Sequence, residues 1–288
     1  MKPAPLEYLR PASVGEALTM LDEHAGMARV LSGGQSLVPM LHMRLMRPMA
    51  VVDVNRLDEE LGGIDPRGTE VVVGALVRYR ELQDSPVIAE HLPLLQHVVR
   101  FVGDRQVRSR GTIGGALAQS DPTGEIPLAT LALGARIVVR SVRGERVVAA
   151  EDFFVGSYMN VLEPDEMIVA IRFPRAPEHC AFFERSRKHN DFAVISVVAA
   201  GTPVGSGRWS AVRIALGGVN DRPVLARATA AELEDRVWDD DVLDAASRLA
   251  LEDVDATDDA RASAEYREHL VPIHVRRVLA DLRGRSER

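Results

Sequence analysis

The sequence predicts an α+β protein, with two α/β subdomains followed by a C-terminal domain that holds a three-stranded antiparallel sheet and a helical bundle. Three observations predict this fold class. A strand, loop, helix and strand pattern runs through residues 28–54, two prolines stiffen the segment 172–177, and strand-like runs precede helix-like runs after that segment. We therefore predict domains at residues 1–56, 57–175 and 176–288.

Composition and charge limit the classes of function. The 288 residues allow two or three compact units. A total of 35 Lys and Arg against 42 Asp and Glu gives a net charge of −7, which argues against a nucleic-acid partner. No apolar run reaches about 18 residues, the length that indicates a membrane-spanning helix. We predict a soluble cytoplasmic protein without an integral membrane segment.

The single cysteine limits the metal and redox chemistry of the chain. Cys180 can form no internal disulfide, and by itself it cannot ligate an iron–sulfur cluster or a structural zinc. Because it lies in an apolar run near Phe182 and Phe183, we expect a buried, unreactive thiol. The sequence contains neither an HExxH nor a GxSxG motif. We therefore predict no catalytic and no metal-binding residue, so that a bound cofactor carries any reaction.

The first subdomain is predicted from a helix start and a β-loop-α-β pattern. Ser13 and Glu16 have the spacing of a capping box, which predicts a helix over residues 14–24. The elements predicted next are a strand over 28–31, a helix over 37–46 that ends before Pro48, and a strand over 50–54. One apolar face of the second helix is expected in the core, and it consists of Leu37, Met40, Leu41 and Leu45.

Turn residues and apolar patterns predict the remaining elements. The middle subdomain is expected to contain a turn over 62–68, a strand over 70–73, helices over 79–83 and 92–102, a helix capped by Asp121 that ends at Gly134, and a hairpin of 136–141 with 145–148. The C-terminal domain is expected to contain strands over 180–185, 192–200 and 209–216, a connector over 201–207, and helices between 228 and 282, kinked or broken near Pro272.

A first glycine loop, SGGQSL at residues 32–37, lies between a strand and a helix. Consecutive glycines allow a close approach of the backbone, and the amides of Gly34, Gln35 and Ser36 would face a phosphate at the start of that helix. A tight turn without a ligand is an equal alternative. Asp53 stands where a dinucleotide-binding fold places its ribose acid, but the third glycine of that motif is missing, and we expect Asp53 to be structural.

A second glycine loop lies at residues 112–125, TIGGALAQSDPTGE. It offers hydroxyl and backbone donors at Thr112, Gly114 and Gly115, and acceptors suited to ribose hydroxyls or a purine amino group at Ser120, Asp121 and Glu125. Two such loops fit a dinucleotide better than a lone phosphate. Four arginines just upstream would balance a pyrophosphate, bind a partner or form a solvated basic face: Arg100, Arg105, Arg108 and Arg110.

Four motifs in order carry a resemblance to a known family. They are SGGQSL, QVRSRGTIGGALAQSDPTGE, DEMIVAIRFP and SRKHNDFAVIS. With them the chain resembles, over nearly its whole length, the FAD-binding medium subunit of the molybdenum hydroxylases, a group that includes the xanthine dehydrogenase and aerobic carbon monoxide dehydrogenase families. The resemblance implies two FAD-binding subdomains of the PCMH-like (vanillyl-alcohol-oxidase-like) type and a C-terminal domain of the carbon monoxide dehydrogenase flavoprotein type.

The resemblance also implies where FAD would be held. Glu125 would face the ribityl or adenosine part, Ile168 would pack on the ring system, and Lys188 and Phe192 would approach the isoalloxazine. The full set of implied FAD-binding residues is Val30, Leu31, Ser32, Gly33, Gly34, Gln35, Ser36, Leu37, Val102, Val107, Gly111, Thr112, Ile113, Gly114, Gly115, Ala116, Ser120, Asp121, Glu125, Ile168, Lys188 and Phe192.

The implied function is electron transfer within a larger complex. Electrons would leave a large molybdopterin subunit, cross the [2Fe–2S] clusters of a small subunit, and pass through this flavin to NAD, oxygen or a quinone, with the subunits assembled as a dimer of heterotrimers. With Cys180 alone, this chain should carry no cluster of its own. Two alternatives remain: a self-contained flavin oxidase with its own organic substrate, and a nucleotide-binding scaffold without a redox role.

Two positions depart from the family pattern. Many relatives have Asp, Asn or Ser where this chain has Ala116, so the polar contact expected there is absent. Phe192 replaces a tyrosine that is frequent in the family, which keeps an aromatic wall and removes its hydroxyl. The electron acceptor therefore does not follow from the resemblance.

Overall fold

The structure is a computed structural model that describes residues 2–188 and 190–286. Its N-terminal part is built on a three-stranded parallel sheet in the order β1-β3-β2. Its elements are β1 (Glu7–Leu9), α1 (Val14–Glu23), β2 (Ala28–Leu31), α2 (Leu37–His42), β3 (Ala50–Asp53) and α3 (Asp58–Leu61). The predicted β-loop-α-β unit is present. Ser13 Oγ accepts from Glu16 N at 3.1 Å, but the Glu16 carboxylate accepts from Ala12 N, one residue before the position that a capping box requires.

The second helix is shorter than predicted. It ends at His42 rather than at residue 46, because Arg44 takes a left-handed backbone with φ of 57° that no helix continues. Of the four apolar residues expected in the core, only Leu41 is buried, and Leu45 is 71% exposed. The prediction of a buried face on this helix is therefore wrong.

The middle part is built on a five-stranded antiparallel sheet in the order β4-β5-β10-β6-β7. Its strands are β4 (Ile64–Arg67), β5 (Glu70–Gly74), β6 (Arg136–Ser141), β7 (Gly144–Ala149) and β10 (Met167–Pro174), with a separate ribbon of β8 (Phe154–Gly156) and β9 (Met159–Asn160). Its helices are α4 (Tyr79–Asp84), α5 (Pro86–His91), α6 (Pro93–Val98), α7 (Arg105–Arg110), α8 (Ile113–Gln119), α9 (Glu125–Ala132) and α10 (Ala150–Phe153). The predicted hairpin is β6 with β7.

Three elements of the middle part differ from the predictions. The stretch expected as a turn contains β4, in which Pro66 pairs with Val71 at the edge of the sheet, where a missing N–H is tolerated. The helix expected over residues 92–102 ends at Val98. Helix α9 begins three residues later than a cap at Asp121 would allow, because Asp121 Oδ1 instead accepts from the backbone and hydroxyl of Thr123 at 2.9 and 2.8 Å.

The C-terminal part is a four-stranded antiparallel sheet in the order β11-β12-β13-β14, with helices against it. The prediction of three strands missed the two-residue strand β14, which pairs with β13 at the edge of the sheet. Its elements are β11 (His179–Ser186), β12 (Ala193–Gly205), β13 (Arg208–Gly217), β14 (Val224–Leu225), α11 (Arg227–Leu233), α12 (Asp240–Leu249), a 3-10 helix (Ala250–Asp253) and α13 (Ala264–Ser286). The expected connector is mostly strand, because Ser206 and Gly207, with φ of 52° and 73°, close a two-residue hairpin. Helix α13 runs through Pro272 without a break.

The middle and C-terminal parts share a hydrophobic core. Phe182, Val198 and Ala215 of the C-terminal sheet belong to the same buried cluster as the middle sheet and its helices. At the edge of this contact the Arg213 guanidinium donates to the carbonyls of Leu131 and Ala132 at the end of α9, at 3.1 and 3.0 Å. This packing fixes α9 against the C-terminal sheet. In the described part of the chain no helix is both long and apolar enough to cross a membrane.

Candidate cofactor-binding site

The two glycine loops contact each other although they are far apart in the sequence. The hydroxyls of Ser32 and Thr112 form a hydrogen bond of 3.0 Å. At Gly33 an added Cβ would lie 2.8 Å from the Cα of Gly111, and the carbonyl oxygen of Arg110 would be closer still. Only a residue without a side chain allows this approach. The loops therefore form one wall.

The first loop presents a row of unused backbone donors. The five consecutive N–H groups of residues 33–37 donate to no acceptor in the described part of the chain. Gly34 has a left-handed backbone with φ of 73°, and the first amide that bonds back is that of Val38, to the carbonyl of Gly34 at 3.2 Å. Consecutive free amides before a helix bind anions such as phosphate.

The segment predicted as a second glycine loop is largely helix α8 (Ile113–Gln119), capped by Thr112, and it does not offer the backbone donors that the sequence predicted. The amides of Ile113 and Gly114 donate to the carbonyls of Val77 and Ala75, both at 3.0 Å, and the amide of Gly115 donates to Thr112 Oγ1 at 3.2 Å. Gly114 is instead required for packing, because an added Cβ would lie 2.7 Å from the Cβ of Ala75. The second loop braces the first, and the expected amide cradle at residues 114 and 115 is absent.

The other predicted residues differ in their accessibility. The buried ones are Gly33, Gly111, Thr112, Ile113, Gly114, Ser120 and Ile168, and Ile113 is fully enclosed in the middle core. Gln35, Ser36, Lys188 and Phe192 are exposed. The partly buried ones are Val30, Leu31, Ser32, Gly34, Leu37, Val102, Val107, Gly115, Ala116, Asp121 and Glu125. Partly buried and exposed residues are the ones whose side chains a ligand can contact directly.

Ser120 and Asp121 have partners within the protein. Ser120 has a left-handed backbone with φ of 52°, and its hydroxyl donates to the carbonyl of Leu117 at 2.7 Å and accepts from Asn160 Nδ2 at 3.0 Å. Asp121 Oδ1 accepts twice from Thr123, and its Oδ2 accepts from the Tyr158 hydroxyl at 3.4 Å. Oδ2 of Asp121 therefore keeps capacity for a further donor, whereas the Ser120 hydroxyl is committed.

Two carboxyl groups with raised pKa values lie beside this wall. Burial raises the pKa of Glu125 to about 7, and the Asp121 carboxylate adds to the effect. Burial raises the pKa of Glu184, on β11, to about 8, and the charge of Glu125 adds to it. Oε2 of Glu184 is buried and has no hydrogen-bond partner among the residues that the structure describes. Near neutral pH both groups are protonated to a large extent, so that Glu125 can donate as well as accept.

Sequence reasoning missed the residues that hold the first loop in place. Asn55 Nδ2 donates to the carbonyl of Ser32 at 2.8 Å and to Asp53 Oδ1 at 2.7 Å. Asp53 also accepts from the Tyr8 hydroxyl, which gives it the structural role that was expected. Tyr79 N donates to the carbonyl of Gly111 at 3.0 Å on the other loop. The Asp-x-Asn pattern after β3 was the available signal, since Asn and Asp fold the chain locally.

No metal-binding or reactive thiol site stands beside the loops. In residues 2–188 and 190–286, no group of three or more His, Cys, Asp or Glu side chains is arranged to hold a metal ion. Burial raises the pKa of the Cys180 thiol to about 12, and its sulfur packs against the middle core. A thiol with such a pKa is a poor nucleophile at neutral pH.

Thr112 provides a test of the contact between the loops. We expect Thr112→Ala to lower the free energy of unfolding by about 1 kcal/mol, because its Oγ1 caps α8 and is bonded to Ser32. Thr112→Ser keeps the hydroxyl and should retain most of that stability. Urea unfolding of both variants measures the difference, and equal losses in the two would contradict a role for the hydroxyl.

Comparison with known proteins identifies the family of the chain that carries these two segments. The family model described as the FAD binding domain in molybdopterin dehydrogenase matches residues 4–176. The chain belongs to this family. Residues 181–282 match the CO dehydrogenase flavoprotein C-terminal domain. The predicted family and the predicted FAD cofactor are confirmed.

Relatives of this FAD-binding chain span its whole length. It is 34% identical over 288 residues to the nicotine 6-hydroxylase medium subunit of Paenarthrobacter nicotinovorans, covering 99% of this chain and 100% of that protein. It is 34% identical to the carbon monoxide dehydrogenase medium chain of Hydrogenophaga pseudoflava, with 97% of each covered. A solved structure of carbon monoxide dehydrogenase from H. pseudoflava, lacking the Mo-pyranopterin moiety, matches with a TM-score of 0.95 at 35% identity, covering 99% of both chains. These likenesses confirm the predicted fold class.

Proposed function

We propose that this chain carries electrons from the [2Fe–2S] clusters of a small partner subunit to an external acceptor, NAD, oxygen or a quinone, within a molybdenum hydroxylase complex. FAD, when bound, supplies the redox chemistry. The observation that carries the proposal is the row of five unused amides at residues 33–37, braced by the second loop. A pyrophosphate bears the charge that such a row binds.

Each part of the wall has a proposed task. The amides of residues 33–37 and the hydroxyl of Ser32 bind the pyrophosphate. Glu125, with its pKa of about 7, hydrogen-bonds a ribityl or ribose hydroxyl as donor or acceptor. The exposed Lys188 and Phe192 would approach the isoalloxazine, where Lys188 would favour negative charge on the ring. Val102 precedes Gly103 and Val107 packs beside it, and both side chains would supply apolar contact to the flavin.

The wider assembly is inferred from the relatives. They are called a medium subunit and a medium chain, and we propose a small [2Fe–2S] subunit and a large molybdopterin subunit as partners, in a dimer of heterotrimers. We further propose a cytoplasmic location and the division at residues 56 and 175. Substrate oxidation would then take place on the large subunit.

Ser36 allows a direct test of the pyrophosphate site. This exposed residue precedes α2, and its side chain makes no capping hydrogen bond. In Ser36→Asp a carboxylate would stand among the free amides, where it competes with the phosphates and repels them. The repulsion between this carboxylate and a phosphate charge about 5 Å away costs roughly 3 kcal/mol at an effective dielectric constant of about 20. Because salt screens part of it, we expect the affinity for FAD to fall by between about ten- and a hundredfold.

Ser36→Asn is the matched control, because it has the same size and no charge. We expect it to bind FAD nearly as well as the wild type. As apoproteins, both variants should unfold at temperatures no lower than that of the wild-type apoprotein, since an acid or amide at the start of a helix does not weaken it. FAD titration of the apoprotein, with the visible spectrum of the purified wild type, supplies the measurements. Equal affinities in Ser36→Asp and Ser36→Asn would contradict the site. A wild-type chain that takes up no FAD would contradict the function, and turnover of an organic substrate by the chain alone would favour a self-contained oxidase.

A further inference from the structure

An arginine from a distant segment covers the exposed ring of Phe192. The guanidinium carbon of Arg261 lies 4.5 Å from the centroid of that ring, the geometry of a cation–π contact. Phe192 is 51% exposed and directly precedes β12. An exposed phenyl ring without such a contact exchanges rotamers freely.

Asp259 fixes the backbone that carries Arg261. Its Oδ1 accepts from the amides of Arg261 and Ala262 at 2.8 and 3.0 Å and from the Arg267 guanidinium at 2.9 Å, and its Oδ2 lies 3.4 Å from Arg261 NH1. These bonds hold the pKa of Asp259 at about 2, against the opposing effect of burial. The carboxylate is charged at every physiological pH, so the loop stays anchored.

Arg267 connects Asp259 to β12, the strand that follows Phe192. It is only 4% exposed, and its guanidinium donates to the carbonyls of Thr257 at 2.6 Å and Val194 at 3.3 Å. Val194 follows Phe192 by two residues on β12. Arg187, five residues before Phe192 in the sequence, donates to the carbonyl of Ala260 at 3.1 Å. The loop over Phe192 is therefore bonded to the chain both before and after it.

The strand that follows Phe192 lies next to the second glycine segment. The amide of Gly218 donates to the carbonyl of Pro122 at 2.9 Å, and Gly218 packs against the backbone of Ala193 and Val194. Tyr158, in the turn between β8 and β9, donates to Asp121 Oδ2 at 3.4 Å. Burial raises the pKa of Tyr158, the Asp121 charge adds to this, and the charge of Arg261 opposes it. The Arg261 and Phe192 pair thus stands at the border between the middle and C-terminal parts.

We propose that Arg261, held by Asp259 and Arg267, is a positioning residue that keeps the Phe192 ring over the flavin and limits the access of the electron acceptor to it. The inference rests on the proposed function, because it requires FAD in the site. Arg261 itself need not contact FAD. Its effect passes through Phe192.

The test compares Arg261→Gln with the wild type as full chains purified with bound FAD. Loss of an exposed cation–π contact should let the ring leave its position, and we expect reoxidation of the reduced flavin by dioxygen to accelerate by about two- to fivefold. The visible absorption bands of the bound flavin should shift towards those of flavin in water, since a ring that covers the flavin excludes solvent from it. Arg261→Lys, which keeps the cation, should restore both signals in part.

A double-mutant cycle separates positioning from a general loss of structure. Phe192→Ala should change both signals in the same direction, and Arg261→Gln should add nothing in that background. Arg277→Gln is the matched control, because the Arg277 guanidinium lies 4.4 Å from the ring of Phe183, on the side of β11 that packs against α13. It should leave both signals at the wild-type level.

Each outcome decides between the claims. Additive effects of Arg261→Gln and Phe192→Ala would overturn the inference, and so would an Arg261→Gln protein with an unchanged reoxidation rate and an unchanged flavin absorption spectrum. In both cases a wild type with one bound FAD would leave the proposed function standing. A wild type that binds no FAD would overturn the proposed function and the inference together.

Discussion

Gly33→Ala is expected to lose FAD and to destabilise the contact between the two glycine loops. The added Cβ would lie 2.8 Å from the Cα of Gly111 and closer still to the carbonyl oxygen of Arg110, distances that real Cβ atoms do not adopt. Both neighbours are backbone, so the loops must separate. Overpacking of this kind costs about 1–3 kcal/mol. FAD retention and urea unfolding of the purified chain measure the two effects.

Gly15→Ala supplies the control for an added methyl group. Gly15 is exposed in the first turn of α1, and its added Cβ would make only an ordinary contact, 3.8 Å from Ser13 Oγ. We expect full FAD retention and a gain of up to about 1 kcal/mol, since alanine favours the helix. If Gly33→Ala retained FAD in a one-to-one ratio, the close approach of the loops would be irrelevant to the cofactor.

Local signals predicted those elements whose cause is local. The Ser13 cap, the strand at residues 28–31 and the hairpin of β6 with β7 follow from side chains within a few residues of each other. Pro66 misled the prediction, because proline reads as a turn residue and β4 accommodates it only as an edge strand. Which strand lies at an edge is decided by long-range pairing, and that pairing is not visible in a short window.

The face of α2 shows the limit of periodicity. Leu37, Met40, Leu41 and Leu45 have helical spacing, and the prediction assumed that an apolar face is a buried face. The helix ends before Leu45, whose side chain is 71% exposed. Periodicity locates a face but does not say what covers it.

The candidate site was predicted in position but not in detail. Both glycine loops were identified from the sequence, but their contact joins Ser32 to Thr112 across 80 positions, and only the fold brings these hydroxyls together. The same is true of the amides. Those of Ile113 and Gly114 are used by Val77 and Ala75, on the segment after β5, whereas those of the first loop stay free. The glycines alone could not distinguish a segment whose amides are free for a ligand from one whose amides are used within the protein.

Glu184→Gln should stabilise the protein at high pH and have little effect at low pH. Burial raises the pKa of Glu184 to about 8, from an ordinary value near 4.5, with the charge of Glu125 adding to the shift. The folded state therefore holds its proton more tightly than the unfolded state. The contribution of this group to stability is fully present below the unfolded pKa and declines as the pH rises towards about 8. Glutamine is neutral throughout and avoids this loss.

Urea unfolding at pH 5 and pH 8.5, at one FAD concentration, measures the effect. We expect the variant to exceed the wild type by on the order of 2–4 kcal/mol at the higher pH, and by much less at the lower pH, where Glu184 is protonated. Glu23→Gln, on the exposed end of α1, should show no such difference between the two pH values. If Glu184→Gln raised the free energy of unfolding equally at both pH values, the folded state would not disfavour the Glu184 carboxylate. Glu125 remains in the variant, and its pKa is about 7. Any dependence of the free energy of unfolding on pH that the variant keeps is therefore assigned to Glu125.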